Sequence, residues 1–261
     1  STVCVAIVGS GGVVLEHRER VTRQFALKNL LPVGAAMACT LSFGNAVYLH
    51  LPVGYYKTTH DLRFDWCFKT EQEPNLNNRK LGWPRGRVLG GSSSINGMIY
   101  VRGHAGDYTH WEDSGAAGWG YADVLPYFRR MEHSHGGETP WRGTDGPLHV
   151  TRGPRDNPLH AAFVEATRAA GYTTTPDYNG YRQEGFGPAD MTVWKGRRWS
   201  SANAYLRPAM ARGNVDLVTG AMVDRVIFDG MTAVGVEFVR RGARHRVNAR
   251  AEVVLAAGAI N

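Results

Sequence analysis

RGRVLGGSSSINGMIYVRG, residues 85–103, runs from an Arg-flanked apolar approach into two adjacent glycines, three serines and an asparagine. Gly90 and Gly91 lack a Cβ, so a phosphate or a ring system can come close to the main chain there. Ser92, Ser93 and Ser94 offer caps and hydroxyl donors at what reads as a helix N-terminus, whose free amides and dipole favour an anion. A plain Gly-Ser loop has the same residues, and on this string alone both readings stand. The 32 glycines of the 261 residues exceed what a helical bundle or a plain sandwich needs. A nucleotide-binding α/β class follows as the starting expectation.

Outward from this stretch, elements alternate. Residues 120–133 place Tyr121, Val124, Leu125, Phe128 and Met131 at helical spacing, with Asp123 as N-cap and Pro126 in the first turn. A second helix is signed by Asn157 as cap, Pro158 at the first position and Gly171 as stop. Its apolar face runs through Leu159, Ala162, Phe163, Ala166 and Ala170, and core packing is expected for both helices. From residue 215 the period changes to two. VDLVT, VDRVIF, a turn at Asp229-Gly230 and a run with Val234, Val236 and Phe238 on one face predict an antiparallel unit. VVLAA, 253–257, is uninterrupted apolar sequence, as in a central parallel strand covered on both faces.

The 85–103 string resembles the first signature of the glucose-methanol-choline (GMC) oxidoreductases, a Gly-(Arg/Lys)-x-Leu-Gly-Gly-Ser-Ser-x-x-Asn run that lies against FAD. Gly86, Arg87, Leu89, Gly90, Gly91, Ser92, Ser93 and Asn96 match it. The resemblance continues through residues 104–132, RGTDGPLHV (142–150), residues 180–210 and VVLAAGAIN (253–261), covering about residues 50–261. It implies an α/β fold: a Rossmann-like FAD-binding domain with a mainly parallel sheet, and part of an α+β substrate domain. It implies further that Val88, Gly90, Gly91, Ser92, Asn96, Gly97 and Met98 line the isoalloxazine and ribityl-diphosphate path, and that Val223 meets the adenine through its backbone. Some relatives attach FAD through a His two residues after the serine pair. Ile95 stands there, which implies non-covalent FAD. The blocks are most similar to the branch that oxidises choline and aliphatic alcohols, so the implied reaction is hydride transfer from a primary alcohol, choline foremost, to the flavin. Electrons then pass to a non-NAD acceptor.

The sequence also departs from the family. IVGSGGVV supplies Gly9, Gly11 and Gly12, but the third position of the dinucleotide fingerprint is Val14, so residues 1–50 read as a degenerate dinucleotide-binding unit and 51–261 as a truncated FAD-binding region. An NAD-dependent reading rests only on that short string. The family's late catalytic His has no counterpart, so no catalytic residue is assigned and the chain alone is expected to be inactive. A flavin-binding module without turnover is the alternative. Cys4, Cys39 and Cys67 lie far apart with no His at ligand spacing, and His133 and His135 read as an exposed pair at a helix end. No metal site is expected.

The net charge of +7 comes from scattered Lys and Arg, which fits a solvated surface rather than nucleic-acid binding. Between Lys28 and Lys57 there is no charged residue, but Pro32, Pro52, glycines, Asn45 and His50 interrupt the run, leaving at most peripheral membrane association. The Arg-rich residues 17–28 are faintly like an organelle-targeting helix. An intracellular location is expected, mitochondrial or cytoplasmic.

Overall fold

A computed structural model of the protein describes residues 2–8, 12–18, 64–153 and 158–260, the first two segments as strand backbone. The chain divides into two compact units. One takes the residues up to Gly97 together with those from Ser200 onward, and the other is Met98–Trp199.

In the first unit, strands β1 (Thr2–Val8), β2 (Gly12–Arg18), β10 (Val215–Thr219) and β14 (Val253–Ala256) form a sheet in the order β10-β2-β1-β14. VVLAA pairs parallel with β1, as expected. The other two pairings are antiparallel, so this sheet is mixed rather than mainly parallel. The reason is local: three residues separate β1 from β2, and a parallel return needs a crossover of a dozen or more. Gly12 opens a strand, not a helix, so IVGSGG lacks the strand-to-helix setting that a dinucleotide fingerprint requires. VDLVT joins this sheet and not the antiparallel unit after it, because the chain changes sheets at Gly220, whose φ is +64°. Among the described residues β14 lies at an end of the sheet with Leu255 65% exposed, and none of them covers both of its faces as expected.

Two short strands, β3 (Phe68–Lys69) and β4 (Gly82–Trp83), pair antiparallel, and β11 (Ala221–Asp229), β12 (Thr232–Arg240) and β13 (Ala243–Asn248) form the antiparallel meander. Asp229 pairs with Thr232, so the turn is Gly230-Met231, one residue beyond the Asp-Gly reading. Gly230 takes a positive φ of 57° and Met231 does not, the pattern of a type II′ turn, which wants glycine first. Ala221, Val236 and Phe238 are buried, with Val218, Val223, Val226, Val247, Ala249 and Val253 packed around them.

The second unit carries helices α1 (Ala105–Asp113), α2 (Tyr121–Met131) and α3 (Pro158–Ala169), with short strands β5 (Glu132–Ser134), β6 (Leu148–Arg152), β7 (Asp190–Met191), β8 (Val193–Trp194) and β9 (Arg197–Arg198). α2 is capped by Gly120 and not Asp123, and Pro126 is its sixth residue. Pro126 is exposed, so its missing N–H leaves a carbonyl open to water rather than buried. Phe128 on its inner face meets Tyr108 of α1 edge-on at 5.7 Å. α3 begins at Pro158 and stops at Gly171 (φ +83°), with Asn157 outside the described residues. Its expected core face is exposed, Leu159 by 79% and Phe163 by 55%, while Thr167 is the buried residue. Among the described residues no helix is long and apolar enough to cross a membrane, and the uncharged segment 29–56 lies outside them.

Candidate functional site

The Gly-Ser stretch is anchored before it turns. Asp65, buried, accepts hydrogen bonds through Oδ1 from the backbone N–H groups of Arg85 (2.9 Å) and Cys67 (3.1 Å). Trp66 N–H donates to Arg85 C=O (2.9 Å) and Arg87 N–H to Phe64 C=O (2.6 Å). The chain then folds over itself at Gly86, where a Cβ would sit 2.3 Å from the Gly91 carbonyl oxygen. Gly91 N–H closes a turn onto Val88 C=O (2.8 Å), and Gly90 adopts φ +87°.

Gly91–Ser94 form one 3-10 turn rather than the start of an α-helix, so the expected helix N-terminal anion site is replaced by a braced loop. The serines supply the bracing. Ser92 Oγ accepts from Gly86 N–H (3.1 Å), Ser93 Oγ donates to Gly90 C=O (2.5 Å), and Ser94 Oγ donates to Leu89 C=O (2.7 Å). A hydroxyl has one hydrogen, so Ser93 and Ser94 have spent theirs on the loop itself. Ser201 completes the clasp: its N–H donates to Ser93 Oγ (2.9 Å) and its Oγ to Gly90 C=O (3.0 Å). A side chain at Gly90 would meet Ser94 Oγ at 2.6 Å and Ala202 at 3.1 Å, so the crowding there comes from the chain itself.

The structure thus gathers Val88, Gly90, Gly91, Ser92, Asn96 and Gly97 in one loop whose edge from Gly91 to Gly97 is half-buried. Met98 belongs to the other unit, in the left-handed region at φ +64°, with its carbonyl accepting from Thr192 N–H (2.7 Å) and Thr192 Oγ1 (3.2 Å). Val223 sits on β11 with its side chain against the core cluster, opposite Phe238 and beside a bulge at Asp224. Buried indole N–H groups of Trp66 and Trp83, next to the anchoring segment, have no hydrogen-bond partner among the described residues.

Two groupings in the second unit escaped the sequence reading. Arg142, Glu132 and Asp190 are buried in a charge network: Arg142 Nε meets Glu132 Oε1 at 2.9 Å, and its Nη1 meets Asp190 and Asp177 at 2.7 Å each. Arg102 adds 2.5 Å to Glu132, and Arg152 3.0 Å to Asp190. Burial opposes the Asp190 carboxylate, yet Arg142 beside it and hydrogen bonds from Arg152, Arg142 and Asn179 hold it below the usual carboxylate range. Burial pushes the Tyr100 phenol up to about 12.

The second grouping is His133, His135 and His149. His133 is half-buried on β5 and not part of an exposed pair, because β5 and β6 pair in parallel with His133 opposite His149. Only that register brings them together, and no spacing in the sequence signals it. Burial, then the His133 imidazole, holds His135 below the ordinary histidine value.

Residues 6–261 match the family described as GMC oxidoreductase, a match that includes most of the first fifty residues. The chain is 52% identical over 260 residues to the oxygen-dependent choline dehydrogenase of Sinorhizobium medicae, covering 98% of this chain and 45% of that protein. It is 57% identical over 260 residues to the same-named protein of Sinorhizobium fredii, with the same coverage. Among solved structures, pyridoxine 4-oxidase from Mesorbium loti superposes with a TM-score of 0.70 at 33% identity, over 75% of this chain and 39% of that one. The chain therefore spans less than half the length of these relatives. They are bacterial and lend no support to a mitochondrial location. With the signature loop folded as one braced unit and the match running almost from end to end, the chain belongs to the GMC oxidoreductase family.

Proposed function

We propose that this chain is the flavin-binding part of an FAD-dependent alcohol oxidoreductase acting on choline or a closely related primary alcohol. The observation that carries the reading is the identity of 52–57% over 260 residues to proteins named oxygen-dependent choline dehydrogenase. The loop fits the cofactor. It is braced by its own serines, its residues Gly91 to Gly97 are half-buried, and two indole N–H groups without a partner among the described residues lie in the segment before it. No acidic residue occurs between Glu73 and Asp107, whereas Arg79, Lys80, Arg85 and Arg87 do, a balance suited to a diphosphate.

In this reading Val88, Gly90, Gly91, Ser92, Asn96, Gly97 and Met98 line the isoalloxazine and ribityl path, and Val223 offers its main chain to the adenine. When bound, FAD supplies a two-electron acceptor for the hydride leaving the alcohol carbon. The contribution of this chain is to hold and orient: Ser93, Ser94 and Ser201 fix the loop, so little reorganisation accompanies binding. Ile95 offers no nucleophile, so the attachment is non-covalent. The relatives' names make dioxygen the acceptor to assay first.

The purified chain, titrated with FAD, should quench flavin fluorescence at saturation. Gly90→Val should weaken binding at least about tenfold, since a β-branched residue at a positive φ costs on the order of 1–3 kcal/mol. Acid precipitation should release the flavin into solution. Unchanged affinity in Gly90→Val, or flavin retained by the precipitate, would refute the cradle and the attachment respectively. Because the chain alone is expected to be inactive, the downstream coding sequence separates the reading from its alternative: continuation into the family's second signature and a late His marks an oxidase or dehydrogenase, and a coding sequence without them marks a binding module.

A further inference from the structure

We infer that His133, His135 and His149 form a binding site for a divalent transition-metal ion of the zinc and copper class. The placement follows from backbone geometry. His133 and His149 are register partners on the parallel strands β5 and β6, and His135 stands in the turn directly after β5, tied to β6 by its N–H to the Val150 carbonyl at 3.0 Å. The three rings converge, with centroids 4.7 Å apart for His133–His135 and for His133–His149, and 5.1 Å for His135–His149. Each offers a ring nitrogen, and those nitrogens all lie within 4.8 Å of one another. His135 Nε2 and His149 Nδ1 are 3.0 Å apart. Tetrahedral zinc with Zn–N bonds of 2.0–2.1 Å sets its ligand nitrogens about 3.3 Å apart, so a small spread of this pair and a rotation of His133 admit the ion.

The rings are held as ligands are held. Trp194 lies flat against both His135 (4.1 Å, 11°) and His149 (4.3 Å, 10°), so one indole fixes the planes of two imidazoles. Trp199 meets His149 edge-on at 5.1 Å and is itself tied by its Nε1–H to the Pro147 carbonyl at 2.8 Å. Such supporting contacts orient a ligand before the metal arrives. Three imidazoles with neither thiolate nor carboxylate suit zinc, copper, nickel or cobalt and not magnesium or calcium. His135 is exposed, which leaves a fourth position open to water. The site lies wholly within Met98–Trp199 and is independent of the flavin assignment.

The test uses the full chain after dialysis against chelator. Calorimetric titration with Zn²⁺ should give one ion per chain, and Zn²⁺ should raise the melting temperature, because a ligand of the folded state stabilises it by mass action. His135→Gln and His149→Gln should each weaken binding at least about tenfold. His110→Gln, on the exposed end of α1, should bind as the parent does. Cu²⁺ should quench indole fluorescence in the parent and lose most of that quenching in His135→Gln, a substitution at an exposed position that spares the fold. Absence of saturable Zn²⁺ binding and of a Zn²⁺-dependent melting shift would overturn the site. So would a stoichiometry and affinity unchanged in both His135→Gln and His149→Gln.

Discussion

At the scale of single residues, Arg142 joins three carboxylates from a buried position. Its guanidinium reaches Glu132, Asp177 and Asp190 from a position 1% exposed, and removing it strands carboxylates in a desolvated interior. Arg142→Met should therefore cost about 3–5 kcal/mol in urea denaturation. Arg244→Ala, which removes an exposed partner of Asp224, should leave the midpoint nearly where it is. The depressed Asp190 carboxyl adds a pH dependence of definite sign. Its folded value lies below the unfolded one, so it stabilises the native state above about pH 4 and that contribution fades as the pH falls through the folded value. Asp190→Asn should flatten the acid limb of the stability curve. None of this was legible from residue types. Charged residues are seldom buried unless paired, and the partners here are contributed by positions 132, 142, 177 and 190, which only the folded chain makes neighbours. The signature loop was legible for the opposite reason: its serines, glycines and their contacts lie within a few residues, with Ser201 as the distant member.

At the scale of elements, sequence patterns located segments better than they oriented them. α2 has the expected face inward because Phe128 meets Tyr108. α3 has the expected boundaries and the opposite burial, since periodicity reports that a face is apolar and not that anything covers it. Within this chain, Leu159→Lys should change stability by less than about 0.5 kcal/mol, whereas Phe128→Ala should cost about 3–5 kcal/mol. Thermal or urea unfolding of the two variants checks both. The turn after β11 was placed one residue early because Asp-Gly is a strong hairpin signal, while the bulges in the β11–β12 ladder shift the pairing beyond what a dipeptide encodes. The histidine trio belongs to the same category: its chemistry is in the residue types and its existence is in the β5–β6 register.

At the scale of the whole molecule, the α/β class and the family followed from the sequence because the 85–103 signature and VVLAA are contiguous. The mixed sheet did not, because it is assembled from strands at opposite ends of the chain: Val5 pairs with Val253, and everything in Met98–Trp199 intervenes. That pairing sets an order of events during synthesis. The inserted unit is contiguous and leaves the ribosome whole, whereas the mixed sheet of the other unit cannot close until Val253 has been translated, roughly 3–10 s later at about 5–20 residues per second. Until Val215–Thr219 is made, β1 and β2 are a hairpin waiting for a third strand, and a two-stranded hairpin is marginal in water. Stalled nascent chains ending at Arg240, long enough for Trp199 to clear the ribosome and too short to contain Val253, should resist protease across residues 98–199 while the N-terminal strands are still cut, so within this chain the unit assembled from distant segments is the last to close.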